Sequence, residues 1–196
     1  MTESDTGLRA RLVDVGVELL ASEGPQALTL REIARRAGVS HGAPRRYFPT
    51  HLELLSAIAR RGFDDLADRV GKALSPDPHD PLDPRAQVAA LARTYVDFAL
   101  DRPGMYELMF RHDLLESGTL GLRGTSLPLF SLFADLVGEV HPEADARRTA
   151  GALWANLHGV AQLWRWRSLP LAVPGEDLGP LLDTVLAAHL GPEGGR

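Results

Sequence analysis

The stretch REIARRAGVSHGAPRRYF, residues 31–48, places five arginines and a histidine around a glycine-broken helical pattern, in a chain whose formal net charge is −5. Guanidinium groups present a planar fork of donors that matches phosphate oxygens and the guanine edge, so arginines at this density suit an anionic partner. Ser40, Gly42 and Ala43 beside them are small enough to let the backbone approach another surface closely. Counting charge by segment isolates the feature. Residues 31–62 carry 7 basic and 2 acidic side chains; residues 1–62 together carry 9 and 7 (net +2), and residues 63–196 carry 12 and 19 (net −7). A basic island sits ahead of an acidic body, and attraction to a partner depends on where the charges lie, not on their sum.

Other chemistries find little support. The chain has no cysteine, which removes disulfides, thiolate metal sites and cysteine nucleophiles together. There is no nucleophile elbow, phosphate loop or paired-histidine metal spacing. His112 and Glu116 lie one helical turn apart, but two ligands do not make a site, so no metal and no cofactor is expected. No apolar run approaches the roughly 20 residues that span a bilayer, and no basic segment, apolar run and cleavage site open the chain, so a cytoplasmic protein without a membrane partner is expected. Catalysis ranks far behind binding.

The elements that must position the arginines follow from periodicity. Leu8, Leu12, Val15, Leu19 and Leu20 share one helical face over 8–22, and Glu23-Gly24-Pro25 ends that helix. Thr29 and Glu32 have capping-box spacing, with Leu28 and Ile33 as a hydrophobic staple, and Gly38 fits the left-handed position after a helix ending at Ala37. Ser40 offers the next N-cap, for a short helix running to about Phe48 with Pro44 near its fourth position. Thr50 and Glu53 form a second capping box before a long helix striped by Leu54, Leu55, Ile58, Phe63, Leu66 and Val70. Four prolines within residues 75–84 require a loop. Further helices are expected at about 85–101, 103–112, 120–139, 143–166 and 177–190, with a frayed tail at 191–196. No segment alternates with period two and no repeat is present, so the fold class is all-α, without a sheet.

Helix, glycine turn and short basic second helix are the parts of a helix-turn-helix, whose second helix enters the major groove by its N-terminal end. Arg35, Arg36, Arg60 and Arg61 are read as solvated helix faces. Residues from about 8 to 60 resemble the DNA-binding domain of TetR-type transcriptional regulators, through Leu19-Leu20, Glu23-Gly24, Thr29, Ile33-Ala34, Ala37-Gly38-Val39-Ser40, Gly42, Tyr47-Phe48 and Leu54-Leu55 in that family's order. The resemblance implies a three-helix DNA-reading domain (1–50) and a helical-bundle domain (51–196) that dimerises and binds a small molecule. It implies DNA contacts from Thr29, Arg31, Ser40, His41, Gly42, Ala43, Arg45, Arg46, Tyr47 and His51. Two positions depart from the pattern: Arg45-Arg46 stand where an aromatic pair is common, and His51 where a phosphate-binding lysine is common.

In the second domain, Trp154 with His158-Gly159 is similar to a signature of one TetR-type ligand-domain subfamily. Trp154, Leu157, His158, Ala161 and Trp164 share a helical face that could line an effector site with Tyr95, Phe98, Met105, Tyr106, Met109, Phe110, Phe130 and Phe133; ordinary core is the alternative for each. His158 needs a hydrogen-bond partner, supplied either by the chain or by a ligand. Gly151, Ala155 and Gly159 share a second face with small-xxx-small spacing, expected to meet a symmetry mate together with Leu178, Leu182, Val185 and His189 of the last helix. The expected function is a homodimeric regulator, a repressor that leaves a pseudo-palindromic double-stranded operator when a largely apolar molecule binds. A DNA-binding regulator or architectural protein without an effector is the alternative.

Overall fold

A computed structural model describes residues 3–75, 82–116, 121–173, 175 and 177–191. Among them the chain forms α1 (Glu3–Glu23), a 3-10 turn (Pro25–Ala27), α2 (Leu30–Arg36), α3 (Pro44–Tyr47), α4 (His51–Leu74), α5 (Pro84–Asp101), α6 (Pro103–Met109), α7 (His112–Glu116), α8 (Arg123–Val140), α9 (Ala146–Arg165), α10 (Leu169–Ala172) and α11 (Gly179–Leu190), with no strand. Most of the proline-rich stretch and the tail from 192 lie outside the described residues, as does the side chain of Glu116. Two compact units result: Met1–Asp65 with Arg102–Ser126, and Leu66–Asp101 with Leu127–Arg196.

In the first unit, α1, α2, α3 and the start of α4 surround Leu12, Leu19, Leu28, Ile33, Leu54 and Ile58, all fully or nearly fully buried. Each such side chain contributes about 1.5–3 kcal/mol of apolar burial. Glycines permit the tightest approaches. A Cβ on Gly62 of α4 would stand 2.6 Å from the sulfurs of Met105 and Met109, and one on Gly104 would stand 3.0 Å from the carbonyl of Leu20. Thus α6 belongs with the amino-terminal helices, and Phe110 stacks edge-on against Phe63 and Tyr106.

Of the local signals around the turn, the threonine caps and the Gly38 ending form, while the Thr29 N–H bonds the Ala27 carbonyl and the Glu32 carboxylate turns to Arg35 and Arg36 instead of closing a capping box. Thr29 Oγ1 accepts from the Glu32 amide and Thr50 Oγ1 from the Glu53 amide, each at 3.2 Å. Gly38 has φ +63°, while Val39 N–H donates to Ala34 and Gly38 N–H to Arg35, a Schellman ending that only a residue free to adopt left-handed backbone makes without strain. The helix expected from Ser40 begins later. The Ala43 amide bonds the Ser40 carbonyl at 2.9 Å to form a turn, Ala43 is the N-cap, and Ser40 provides no cap. Pro44 is the first helical residue and is buried; there its missing N–H forfeits nothing and its fixed φ suits the helix start. The helix expected over 103–112 breaks after Met109, and α7 and α10 had no periodicity long enough to read.

In the second unit, α5, α9 and α11 pack together around Val88, Ala92, Val96, Leu153, Leu157, Leu182 and Leu186. Arg85 donates to the carbonyls of Leu190 at 2.7 Å and Gly191 at 2.6 Å, so a cation closes the negative end of α11. Leu178, Leu182 and Val185, expected to face a symmetry mate, are buried within their own chain. With Leu178 at the N-cap, they form the apolar side of α11, a helix that packs on α9 and α5 of its own chain.

Candidate functional site

The arginines of the basic island divide by pairing. Arg35 and Arg36 both grip Glu32, Arg36 also pairs with Glu23, Arg61 pairs with Asp14, and Arg60 donates to Thr125 Oγ1. The hydrogen bonds from Arg35 and then Arg36 lower the Glu32 pKa to about 2. These side chains brace helices, and Arg60 is half-buried rather than on the solvated face expected of it. Arg31, His41, Arg45 and Arg46 are exposed and form no hydrogen bond or ion pair with another described residue. The charge of the three arginines is therefore available to an anion, at the start of α2 and on α3, with His41 in the turn between them.

Gly42 is exposed with no atom within 4 Å of where its Cβ would stand; Ser40 is exposed and Ala43 half-buried. Tyr47 is half-buried against the head. Thr29 uses its oxygen as an acceptor in the α2 cap, which leaves its own proton to donate. His51 behaves differently: its Nε2–H donates to the Leu28 carbonyl at 2.5 Å and ties the start of α4 to the entry of α2, so that nitrogen is not offered to a phosphate. Sequence reasoning missed Arg9 and Arg11 of α1. The Arg9 guanidinium stacks over the Phe48 ring at 4.9 Å, and Arg11 Nη2 lies 3.6 Å from the Cβ position of Gly38, beside the turn. Both lie outside the segment where charge is dense, and only the packing of α1 brings them there.

The thirteen residues expected to line an effector site do not gather as one set. Met105, Tyr106, Met109 and Phe110 are in the first unit. Phe98, Phe133, Leu157 and Ala161 are buried core, and Trp164 is half-buried. Tyr95, Phe130, Trp154 and His158 do come together. The Trp154 indole N–H, which can only donate, bonds Tyr95 Oη at 3.1 Å; Tyr95 Oη is 2.8 Å from His158 Nδ1. Tyr95 Oη, a hydroxyl that can accept and donate, thus links the indole to the imidazole. Burial first, and then the positive charge of Arg165, lower the His158 pKa, which keeps the ring neutral at pH 7. Phe130 meets the Trp154 edge at 6.0 Å, and Arg147 lies over Phe130 at 5.5 Å. The partner that His158 required is thus within the chain.

On the outer side of α9, Ala152, Ala155, Gly159, Leu163 and Trp166 follow 3-4-4-3 spacing, and all are exposed or half-exposed, Trp166 at 64%. The outer side of α11 carries Pro180, Thr184, Ala187 and Ala188. No helix among the described residues is long and apolar enough to cross a membrane, and no group of three acidic or histidine side chains among them is placed to hold a metal ion.

Comparison with known proteins matches residues 88–189 to the tetracyclin repressor-like C-terminal domain and residues 12–58 to the bacterial regulatory proteins of the tetR family. The chain belongs to that family. An HTH-type transcriptional regulator of Mycobacterium tuberculosis is 31% identical over 103 residues, 53% of this chain and 43% of that one. The chain thus spans under half the length of that relative. An HTH-type transcriptional repressor of the same organism is 28% identical over 158 residues, 81% of this chain and 71% of that one. A solved structure of a protein of unknown function from Rhodococcus sp. RHA1 shares 28% identity with a TM-score of 0.72, covering 93% of each chain.

Proposed function

We propose that the chain acts in the cytoplasm as a homodimeric repressor, reading a pseudo-palindromic operator through residues 1–50 and releasing it when a small, largely apolar molecule binds the domain formed by residues 51–196. The observation that carries the DNA half is the set of unpaired cations, Arg31, Arg45 and Arg46, around an open Gly42 and a four-residue helix that begins on a buried proline. The DNA-binding residues remain those the family pattern names, with His51 acting by holding α4 in place rather than by touching phosphate through Nε2. Repression is favoured by the similarity to a repressor over most of the chain. Dimerisation is favoured by the small-residue outer sides of α9 and α11, which allow two copies to approach closely as a four-helix contact. The exposed edge of Trp154, above a neutral histidine, supports an effector face.

Selection from random duplexes tests the reading. A two-fold site is expected, with half-sites about one helical turn or somewhat more apart. Arg45→Ala and Arg46→Ala are each expected to reduce the log–log salt slope of binding by about one if they neutralise a phosphate, or to cost roughly 1–3 kcal/mol at one base position if they read guanine. Unchanged affinity in both variants rejects this use of α3. A release assay against a library of apolar metabolites and drugs tests the effector half, and a regulator indifferent to every compound would favour the effector-free alternative.

A further inference from the structure

We propose that Arg147, Phe130, Gly151 and Trp154 form a recognition site for a small planar acid, whose carboxylate pairs with Arg147 while its apolar body crosses Gly151 and rests against Trp154. The inference deepens the effector reading above and rests on it. Positions 147, 151, 154 and 158 follow 4-3-4 spacing, so they line one face of α9. Arg147 is exposed, and among the described residues its guanidinium meets the Phe130 ring and no carboxylate. The guanidinium lies 5.5 Å over the ring, and its N–H donors, which meet no acceptor among the described residues, remain open to a carboxylate, which a guanidinium can hold in bidentate fashion. Asp145, close by in sequence, is already engaged by the Arg148 amide and guanidinium.

The floor of this face is open. No atom lies within 4 Å of where a Cβ on Gly151 would stand, between the arginine and the tryptophan. The far wall is Trp154, 37% exposed, with its indole plane set by the bond to Tyr95. The electrostatics agree with the geometry. Arg165 adds its positive charge to the surroundings of His158 on this face, after the larger effect of burial. A cationic ligand would meet repulsion along the face, and a neutral one would leave Arg147 unused.

Three matched probes test the proposal on the full chain: 2-naphthoate, its neutral amide 2-naphthamide, and 2-naphthylmethylammonium, followed by calorimetry and tryptophan fluorescence. Naphthoate is expected to bind at least about tenfold more tightly than the amide, and the ammonium compound most weakly, since a charge-assisted pair adds roughly one decade or more over a neutral contact. Arg147→Gln should erase the preference, Arg147→Lys should keep part of it, and Arg148→Gln, on a different side of α9, should leave it intact. Gly151→Leu fills open space, so it should block all three probes while the thermal melt is retained. Equal binding of acid and amide, a preference that survives Arg147→Gln or is lost equally in Arg148→Gln, or no binding of naphthoate at millimolar concentration overturns the proposal. Operator release by neutral or cationic library compounds with no preference for acids would overturn it too, while leaving the effector reading in place.

Discussion

Replacing Tyr95 with phenylalanine removes one oxygen and, with it, two hydrogen bonds that join α5 to α9. The ring itself stays, and because Tyr95 is 6% exposed its apolar packing is unchanged. Each lost bond, at 3.1 Å to Trp154 and 2.8 Å to His158, is worth about 1 kcal/mol net. Trp154 is partly exposed and His158 half-buried, so water replaces some of that loss and the expected destabilisation is about 1–2 kcal/mol. For a protein of this size that lowers the melting temperature by roughly 3–6 °C at fixed protein concentration. A double-mutant cycle with His158→Phe isolates the shared bond and should return a coupling of about 1 kcal/mol. Calorimetric melts of the four proteins decide the matter. If Tyr95→Phe melts within a degree of the parent and the cycle shows no coupling, the relay does not hold the histidine. If His158→Ala keeps full stability yet abolishes effector-induced release, the ring serves a ligand rather than the fold.

Arg167 has φ +62° at the C′ position of a Schellman ending, where Ser168 N–H bonds Leu163 and Arg167 N–H bonds Trp164; Arg167→Gly should stabilise by about 0.5–1 kcal/mol, and an unchanged or lower melting point would refute the strain. Because the folded pKa of His158 is depressed, the unfolded chain binds that proton first, so this ring's contribution is complete above about pH 6.5 and declines as pH falls; His158→Phe should flatten the stability slope on the acid side of pH 6.5. Glu32 contributes a later limb, present above the ordinary glutamate range and lost as pH falls through about 2, which Glu32→Gln should remove from an acid titration. Trp166→Glu places a charge on the outer side of α9 and should shift the protein from dimer to monomer in sedimentation while the monomer melt is kept; a dimer unaffected by it would place the contact elsewhere.

What the sequence made legible was local. Thr29, Gly38 and Thr50 announce their roles through chemistry within three or four residues, and each is found in that role. Pro44 misled because it was judged against a helix thought to begin at Ser40; the turn formed by the Ser40 carbonyl and the Ala43 amide makes it a first residue instead. Periodicity also found the face shared by Trp154 and His158. It could not show that a tyrosine 63 residues away in the chain completes that face, nor that Met105 and Met109 close on Gly62 in the other unit. The orientation of α11 was missed for a related reason. Leu178, Leu182 and Val185 are its apolar side, and that side is buried within the chain itself, where α11 packs on α9 and α5.

The same distinction explains how an acidic chain can present itself to DNA. Net charge counts every arginine alike, whereas pairing decides which of them still attract an anion. Arg35, Arg36, Arg61, Arg93, Arg111 and Arg148 each have a carboxylate partner, and in a high-dielectric surface setting such pairs leave little field beyond themselves. Arg9, Arg11, Arg31, Arg45 and Arg46 have none among the described residues, and all five lie within the first 46 residues. The acidic side chains are spent where arginines brace helices and withheld where the turn and α3 face outward. Arg147 on α9 is a further cation left without a carboxylate, which is why a second anion, small and flat, is sought there.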